Sequence, residues 1–224
     1  MTTKSNTPKR IFIKRIPPAF ILNYFTTRTS IFRHHQYMFL EQFGKDFTGT
    51  VIEFGCEEQY KNDRFFPNAD IVRCTNIKPN SKDYLDITAI DLPDNSQDGY
   101  ICISVLEHVK DYQKALSEIL RTLKPNGRLL ITVPFIYPRH DVVDYWRFSE
   151  NFYTDFFDDY DVIAIAKLGG RLATMAGLLQ KPYGKIGIRL IIYKIIGFIF
   201  AGLGYFFEVE DDYPAGYGIY LIKK

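Results

Sequence analysis

Apolar and polar positions along the chain change period several times, and each change marks an element. Tyr100, Ile101, Cys102, Ile103 and Val105 are almost continuously apolar, which predicts a strand over 99–105 buried on both faces. Tyr112, Ala115, Leu116, Ile119, Leu120 and Leu123 then recur at helical spacing. A helix over 110–124 follows, stopped and turned by Pro125-Asn126-Gly127. Further strands are expected at 50–54, 70–76, a short one ending at Asp86, 128–133, 162–168 and 216–222, with helices near 57–65 and 149–157. Between 30 and 45 the apolar residues Ile31, Phe32, Tyr37, Met38, Phe39, Leu40 and Phe43 predict, with imperfect periodicity, a helix beside the sheet or over its site.

At 224 residues the chain has room for one well-buried domain, or one with a modest appendage, and a composition of 46% hydrophobic and 24% charged residues excludes wholesale disorder. Residues 1–28 read as a basic, partly disordered N-terminal arm carrying Lys4, Lys9, Arg10, Lys14 and Arg15, and 29–224 as the domain. Net charge is only +2, so no global field recruits nucleic acid, and no basic stripe crosses the central region. Cys56, Cys74 and Cys102 are an odd number without C-x-x-C spacing. They fit a reducing, cytoplasmic setting and suggest neither a disulfide framework nor a zinc site. Pro17-Pro18 interrupts the only apolar run near the start, so no cleavable signal is expected.

Residues 169–212 are expected to form a helical insertion before the last strand. Within it, Ile186–Phe207 is apolar but broken by Arg189 and Lys194, which leaves thirteen uncharged residues, Ile195–Phe207. Spanning a bilayer takes roughly 20. Two readings remain: helices packed on the sheet or over the substrate site, and an interfacial helix with Lys185, Arg189 and Lys194 at lipid headgroups. Gly197, Gly202 and Gly204 argue against a long regular helix.

Strand, glycine turn, strand, helix, strand is the order of a nucleotide-binding α/β domain. Three segments make it specific: Val51-Ile-Glu-Phe-Gly-Cys-Glu57, Asp91-Leu-Pro-Asp-Asn-Ser-Gln-Asp-Gly-Tyr-Ile-Cys-Ile-Ser-Val-Leu-Glu-His-Val109 and Leu123-Lys-Pro-Asn-Gly-Arg-Leu-Leu-Ile-Thr-Val-Pro134. Together they resemble the class I S-adenosylmethionine-dependent methyltransferases, over roughly residues 48–168. The resemblance implies a Rossmann-like α/β fold, a seven-stranded mostly parallel sheet with helices on both faces.

It also implies a cofactor set. Glu53 resembles the acid that orients the methionine end of S-adenosylmethionine, and Gly55, followed by Cys56, the glycine that admits it. Where relatives carry another glycine this chain has Cys56-Glu57-Glu58, and where they carry a ribose-binding acid it has Asn76, or Thr75 if the alignment slips by one. A neutral amide is a weaker acceptor than a carboxylate. Asp86-Ile87 resembles the pair that meets adenine, and Ser104 and Leu106 fall at the carboxyl end of the central strand, where ligands of open α/β sheets bind.

The run Pro134-Phe-Ile-Tyr-Pro-Arg-His-Asp-Val-Val-Asp-Tyr-Trp-Arg-Phe148 looks like the loop of bacterial methyltransferases of surface-polysaccharide pathways. By that resemblance His140, Asp144, Tyr145 and Arg147 lie at the mouth of the sheet, with His140, Tyr145 and Arg147 as candidate catalytic residues. A neutral imidazole there can take a proton from a sugar hydroxyl. Trp146 and Phe148 are read as loop anchors, and His108 as a helix-start histidine. The reading is an S-adenosylmethionine-dependent O-methyltransferase of a sugar or glycan precursor, metal-free, with peripheral contact at the inner face of a membrane through 185–207. Other small-molecule or lipid acceptors and a non-catalytic scaffold are the alternatives. A nicotinamide enzyme is disfavoured because G-x-G-x-x-G is missing.

Overall fold

The computed structural model describes residues 8–26, 29–56, 62–157, 160–180, 188–210 and 212–224, with the side chains of 188–190 left aside. Its centre is the apolar strand read first in the sequence. Along β4 (Gln97–Ile103) Tyr100 and Cys102 point into one core and Ile101 and Ile103 into another, the period-two alternation of a strand covered on both sides. Around it lie β5 (Leu123–Pro134), β2 (Gly49–Phe54) and β3 (Ala69–Cys74). Strands β6 (Asp161–Leu168), β7 (Gly216–Ile222) and β1 (Lys9–Ile13) complete a seven-stranded sheet in the order β1-β6-β7-β5-β4-β2-β3. Strand β7 pairs antiparallel with β5 and β6, and the other pairings are parallel.

Helix α3 (Tyr112–Thr122) sets Ala115, Leu116, Ile119 and Leu120 against one face of the sheet, joined by Tyr153 of α4 (Glu150–Phe156). Helix α2 (Ile31–Phe43) covers the other with Phe32, Phe39, Leu40 and Phe43. The Ser30 side chain caps α2 by accepting from the Arg33 N–H at 3.1 Å.

Seven strands were expected, but not these seven. The short strand ending at Asp86 is reduced to a single bridge, Asn76 with Tyr84, because Pro79, Asn80 and Ser81 turn the chain before a ladder can extend. The seventh strand comes from the supposed arm. Residues 9–13 pair with β6 from Lys9 opposite Ala164 to Ile13 opposite Leu168, so over 8–26 the expectation of partial disorder is corrected. A short helix α1 (Pro18–Leu22) follows. Lys4 and the 57–61 part of the helix expected near 57–65 lie outside the described residues, and the remainder of that helix is one 3-10 turn, Asp63–Phe65.

Between β6 and β7 stand α5 (Arg171–Leu179) and α6 (Ile188–Phe207). The glycines that argued against a long helix explain how it packs. A Cβ on Gly197 would lie 2.2 Å from Tyr24 Oη, and one on Gly204 2.9 Å from Ile16 Cδ1. With Ala201 they form a small-residue face that admits α5 and the Ile16–Tyr24 segment, and close approach outweighs their helix propensity. The carboxylate of Glu208, just past α6, accepts from the Leu172 and Ala173 N–H groups at 3.1 and 2.6 Å and so caps α5. The opposite side of α6 is open, with Ile191, Ile192, Ile195, Ile199, Phe206 and Phe207 exposed. Among the described residues no helix is long and apolar enough to cross a membrane.

Candidate functional site

Strand β2 has β3 on one side and β4 on the other, so the chain reverses direction across the sheet between β2 and β4. The loops after these strands diverge there, and such a switch point is where open α/β sheets bind ligands. Gly55 turns the chain at φ +67°, and a Cβ on it would stand 2.7 Å from Val105 Cγ2. Only glycine fits both demands. Glu53 is buried, and its carboxylate accepts from the backbone N–H of Asn62 at 3.0 Å and from the Asn62 side chain. Burial raises its pKa while those bonds and the nearby Arg33 charge oppose the rise.

The expectation of no disulfide is corrected: Cys56 and Cys74 are bonded, with Cα atoms 5.2 Å apart. Adjacent parallel strands bring the two together, for Glu53 pairs with Cys74 and the Cys56 N–H reaches the Thr75 carbonyl. Cys102 is free and buried. Asn76 ties the same corner, donating to the Cys56 carbonyl at 3.0 Å and accepting from the Lys78 N–H at 3.1 Å. Asp86 Oδ1 accepts from the backbone and hydroxyl of Thr88, each at 2.8 Å. Ile87 and Leu106 are buried. Ser104 sits at φ +53° and accepts from Gln36 Nε2, which also reaches Thr132 Oγ1. Gln36 Oε1, buried beside it, has no described partner.

Beyond Ser104 the chain makes a 3-10 turn, Leu106–His108, so His108 does not open α3. The loop after β5 folds onto that turn: the Tyr145 and Trp146 N–H groups donate to the Glu107 carbonyl at 2.8 and 3.2 Å, and Trp146 Nε1 donates to the Val109 carbonyl at 3.0 Å. Phe148 is buried in the core. Trp146 and Phe148 therefore anchor the loop, and the Tyr145 side chain stays half exposed.

This docking seals Glu107. Its side chain is 0% exposed, neither carboxylate oxygen has a described hydrogen-bond partner, and burial pushes the carboxyl up to about 8. His108 Nε2 and His140 Nε2 each lie 3.7 Å from Glu107 Oε1. Asp144 accepts from the His140 N–H at 3.0 Å, holds Arg147 in a two-point ion pair and lies 3.5 Å from His140 Nδ1. The Arg147 bonds hold the Asp144 carboxyl well below the usual range, and burial with the neighbouring His108 lowers His140.

The structure thus gathers Glu53, Gly55, Cys56 and Asn76 at one side of the switch point, and Ser104, Leu106, His140, Asp144 and Arg147 at the β4–β5 side. Sequence reading missed Glu107, Gln36, Asn62 and Arg33. Of these only Gln36 left a signal, a polar residue on the apolar face of α2 between Phe32 and Phe39.

Residues 60–131, about a third of the chain, match the family model for a methyltransferase domain. A structure of an S-adenosylmethionine-dependent methyltransferase from Archaeoglobus fulgidus is similar at 15% identity and TM-score 0.53, over 92% of this chain and all (100%) of that one. A putative sarcosine dimethylglycine methyltransferase from Galdieria sulphuraria is similar at 14% identity and TM-score 0.56, over 86% of each chain. The 4+2 cyclase SpnF shares the fold as well, at 15% identity and TM-score 0.51, over 83% of this chain and 80% of that one. No curated protein sequence matches. The fold is that of the class I S-adenosylmethionine-dependent methyltransferases, and the methyltransferase-domain match over residues 60–131 supports methyl transfer with S-adenosylmethionine as cofactor.

Proposed function

We propose that the protein transfers the methyl group of S-adenosylmethionine to a hydroxyl of a sugar or glycan precursor. The observation that carries this reading is the apposition of a cofactor-type switch point with a histidine held by Asp144 and Arg147 at the next strand end.

The residues at the switch point suit the cofactor. Gly55 leaves backbone room, Asp86 keeps one oxygen without a described partner, and the unpaired Gln36 Oε1 awaits a donor. In this reading Ile87 lies beside the adenine, Asn76 faces the ribose, and Arg33, whose charge is felt at both Glu53 and Glu107, lies toward the methionine carboxylate; Leu106, expected at the cofactor, is instead fully buried in the core and supports the turn from beneath. When bound, the cofactor supplies an already activated methyl group, so positioning dominates catalysis. Asp144 favours the His140 tautomer with its proton on Nδ1, which leaves the Nε2 lone pair to act on the acceptor hydroxyl. Arg147 is a positioning residue: it keeps Asp144 ionised and the loop closed.

The outer side of α6 supports a second role, peripheral attachment to a membrane. Its exposed Ile and Phe side chains, with the partly exposed Lys194 at the flank, have the makeup of an interfacial helix. Lys185 and the Arg189 side chain lie outside the described residues.

Calorimetry with S-adenosylhomocysteine, followed by a methyl-transfer screen over nucleotide sugars and lipid-linked sugars, tests the proposal. His140→Ala should lower turnover about 10²–10⁴-fold with cofactor affinity unchanged. Absence of cofactor binding would favour the scaffold alternative, and turnover only on non-sugar acceptors would overturn the substrate class.

A further inference from the structure

Glu107 stands in a position that hydrogen bonding does not explain. A fully buried carboxylate is normally paired, because taking it out of water costs several kcal/mol. Here both oxygens lack a described hydrogen-bond partner, and two imidazole Nε2 atoms approach the same oxygen at 3.7 Å, too far for hydrogen bonds. The three side chains nevertheless converge, with one ligand atom from each lying within 4.8 Å of the others. What lies on the far side of each ring gives the second observation. His108 Nδ1 donates to the Val143 carbonyl, whereas His140 Nδ1 makes no described hydrogen bond and lies 3.5 Å from the Asp144 carboxylate. The carbonyl fixes the His108 proton on Nδ1, and the negative charge of Asp144 favours the same tautomer at His140, which leaves a lone pair on each Nε2. This is the outer-shell arrangement that orients metal-binding histidines.

We infer that Glu107, His108 and His140 form a binding centre for one divalent transition-metal cation, with Asp144 and the Val143 carbonyl orienting the two imidazoles. Two nitrogens and one carboxylate suit Zn2+ or a neighbouring first-row ion, whereas Mg2+ and Ca2+ prefer oxygen. Zn–N and Zn–O bonds of about 2.0–2.1 Å place tetrahedral ligands about 3.4 Å apart; the two 3.7 Å separations from Glu107 are close to that spacing, and ion binding would draw together the three ligand atoms, which already lie within 4.8 Å of one another. Protein closes the Glu107 side completely, while the His108 and His140 side chains keep 23% and 29% of their exposure. The fourth, outward coordination position is therefore open to a ligand.

The consequence for chemistry rests on the methyltransferase reading. A hydroxyl bound at an open position loses its proton to water more readily, as metal-bound water does. The resulting alkoxide oxygen forms the new O–CH3 bond as the S–CH3 bond breaks, and the sulfonium becomes a neutral thioether. His140 then acts on the acceptor through the cation.

Tag-free full-length protein, stripped of metal, is titrated with Zn2+ by calorimetry and with Co2+ by visible absorption. One site per chain is expected. Glu107→Gln and His108→Ala should each weaken it about 100-fold or more, and Asp144→Asn about 10–100-fold. X-ray absorption of the Zn-loaded parent needs no variant to fold, and two imidazole nitrogens are expected in the first shell. Absence of saturable binding, binding unchanged in Glu107→Gln and His108→Ala, or a shell with fewer than two imidazoles would overturn the inference. S-adenosylhomocysteine affinity, read on the same samples, separates the two readings: cofactor binding without metal binding rejects this centre alone, and metal binding without cofactor binding rejects the methyltransferase reading alone.

Discussion

Replacing Gly55 with alanine tests the switch point most directly. The residue sits at φ +67°, where a Cβ costs roughly 1–2 kcal/mol, and that Cβ would stand 2.7 Å from Val105 Cγ2, an overlap worth about another 1–2 kcal/mol. The expected loss is therefore about 2–4 kcal/mol, a fall in Tm of roughly 4–16 °C for a chain of this length. Combining Gly55→Ala with Val105→Ala should recover about 1 kcal/mol relative to additivity, because the second change removes the overlap and leaves the backbone strain. Urea melts of the four proteins give the cycle, and calorimetry with S-adenosylhomocysteine shows whether the distorted turn still admits cofactor. A Gly55→Ala protein that melts with the parent and binds equally well would refute both the steric argument and the site.

Asn76→Asp removes the donor to the Cys56 carbonyl and sets a carboxylate against it, so stability should fall about 1–3 kcal/mol; a parent-like melt would show that the bond is not made. Its affinity for S-adenosylhomocysteine should be no lower than the parent's, since a charged ribose acceptor is stronger. Replacing Cys56 and Cys74 by serine, a pair with sequence separation 18, should lower the unfolding free energy by about 3 kcal/mol, and equal urea midpoints with and without reductant would exclude that contribution. The protein should sediment with anionic vesicles at low salt and leave them at high salt, and Ile192→Glu with Ile199→Glu should weaken sedimentation; no sedimentation of the parent would reject the membrane role.

Strands were legible where burial imposes a pattern. The run around Tyr100–Ile103 lies between two helical layers, so it is apolar at every position, and the periodicity of 112–123 reports one buried face of α3. Strand β1 was not legible, because it is short and sits at an edge with Lys9 and Arg10 exposed, and its partner is remote in sequence. The site divides the same way. Gly55, Ser104 and His140 stand at turns whose residue types declare themselves, whereas Glu107 reads as an ordinary polar residue at a strand end. It becomes a buried, unpaired carboxylate only when residues 140–148 close over it. Likewise the Cys56–Cys74 bond follows from strand adjacency, which no spacing along the chain encodes.

The placement of β1 governs the order in which the molecule can be completed. Its ladder matches Lys9 with Ala164, so a nascent chain must hold its first strand unpaired until most of the domain has left the ribosome. Until then β6 is itself an open edge, with unpaired N–H and C=O groups along a strand whose centre, Ala164–Ala166, is buried in the finished protein. The bases Lys9 and Arg10 guard that interval: charge on the waiting strand discourages pairing with a neighbouring chain, and docking then closes the edge. A fusion or truncation that delays or removes β1 would leave the rest of the sheet standing and convert its last strand into a template for association.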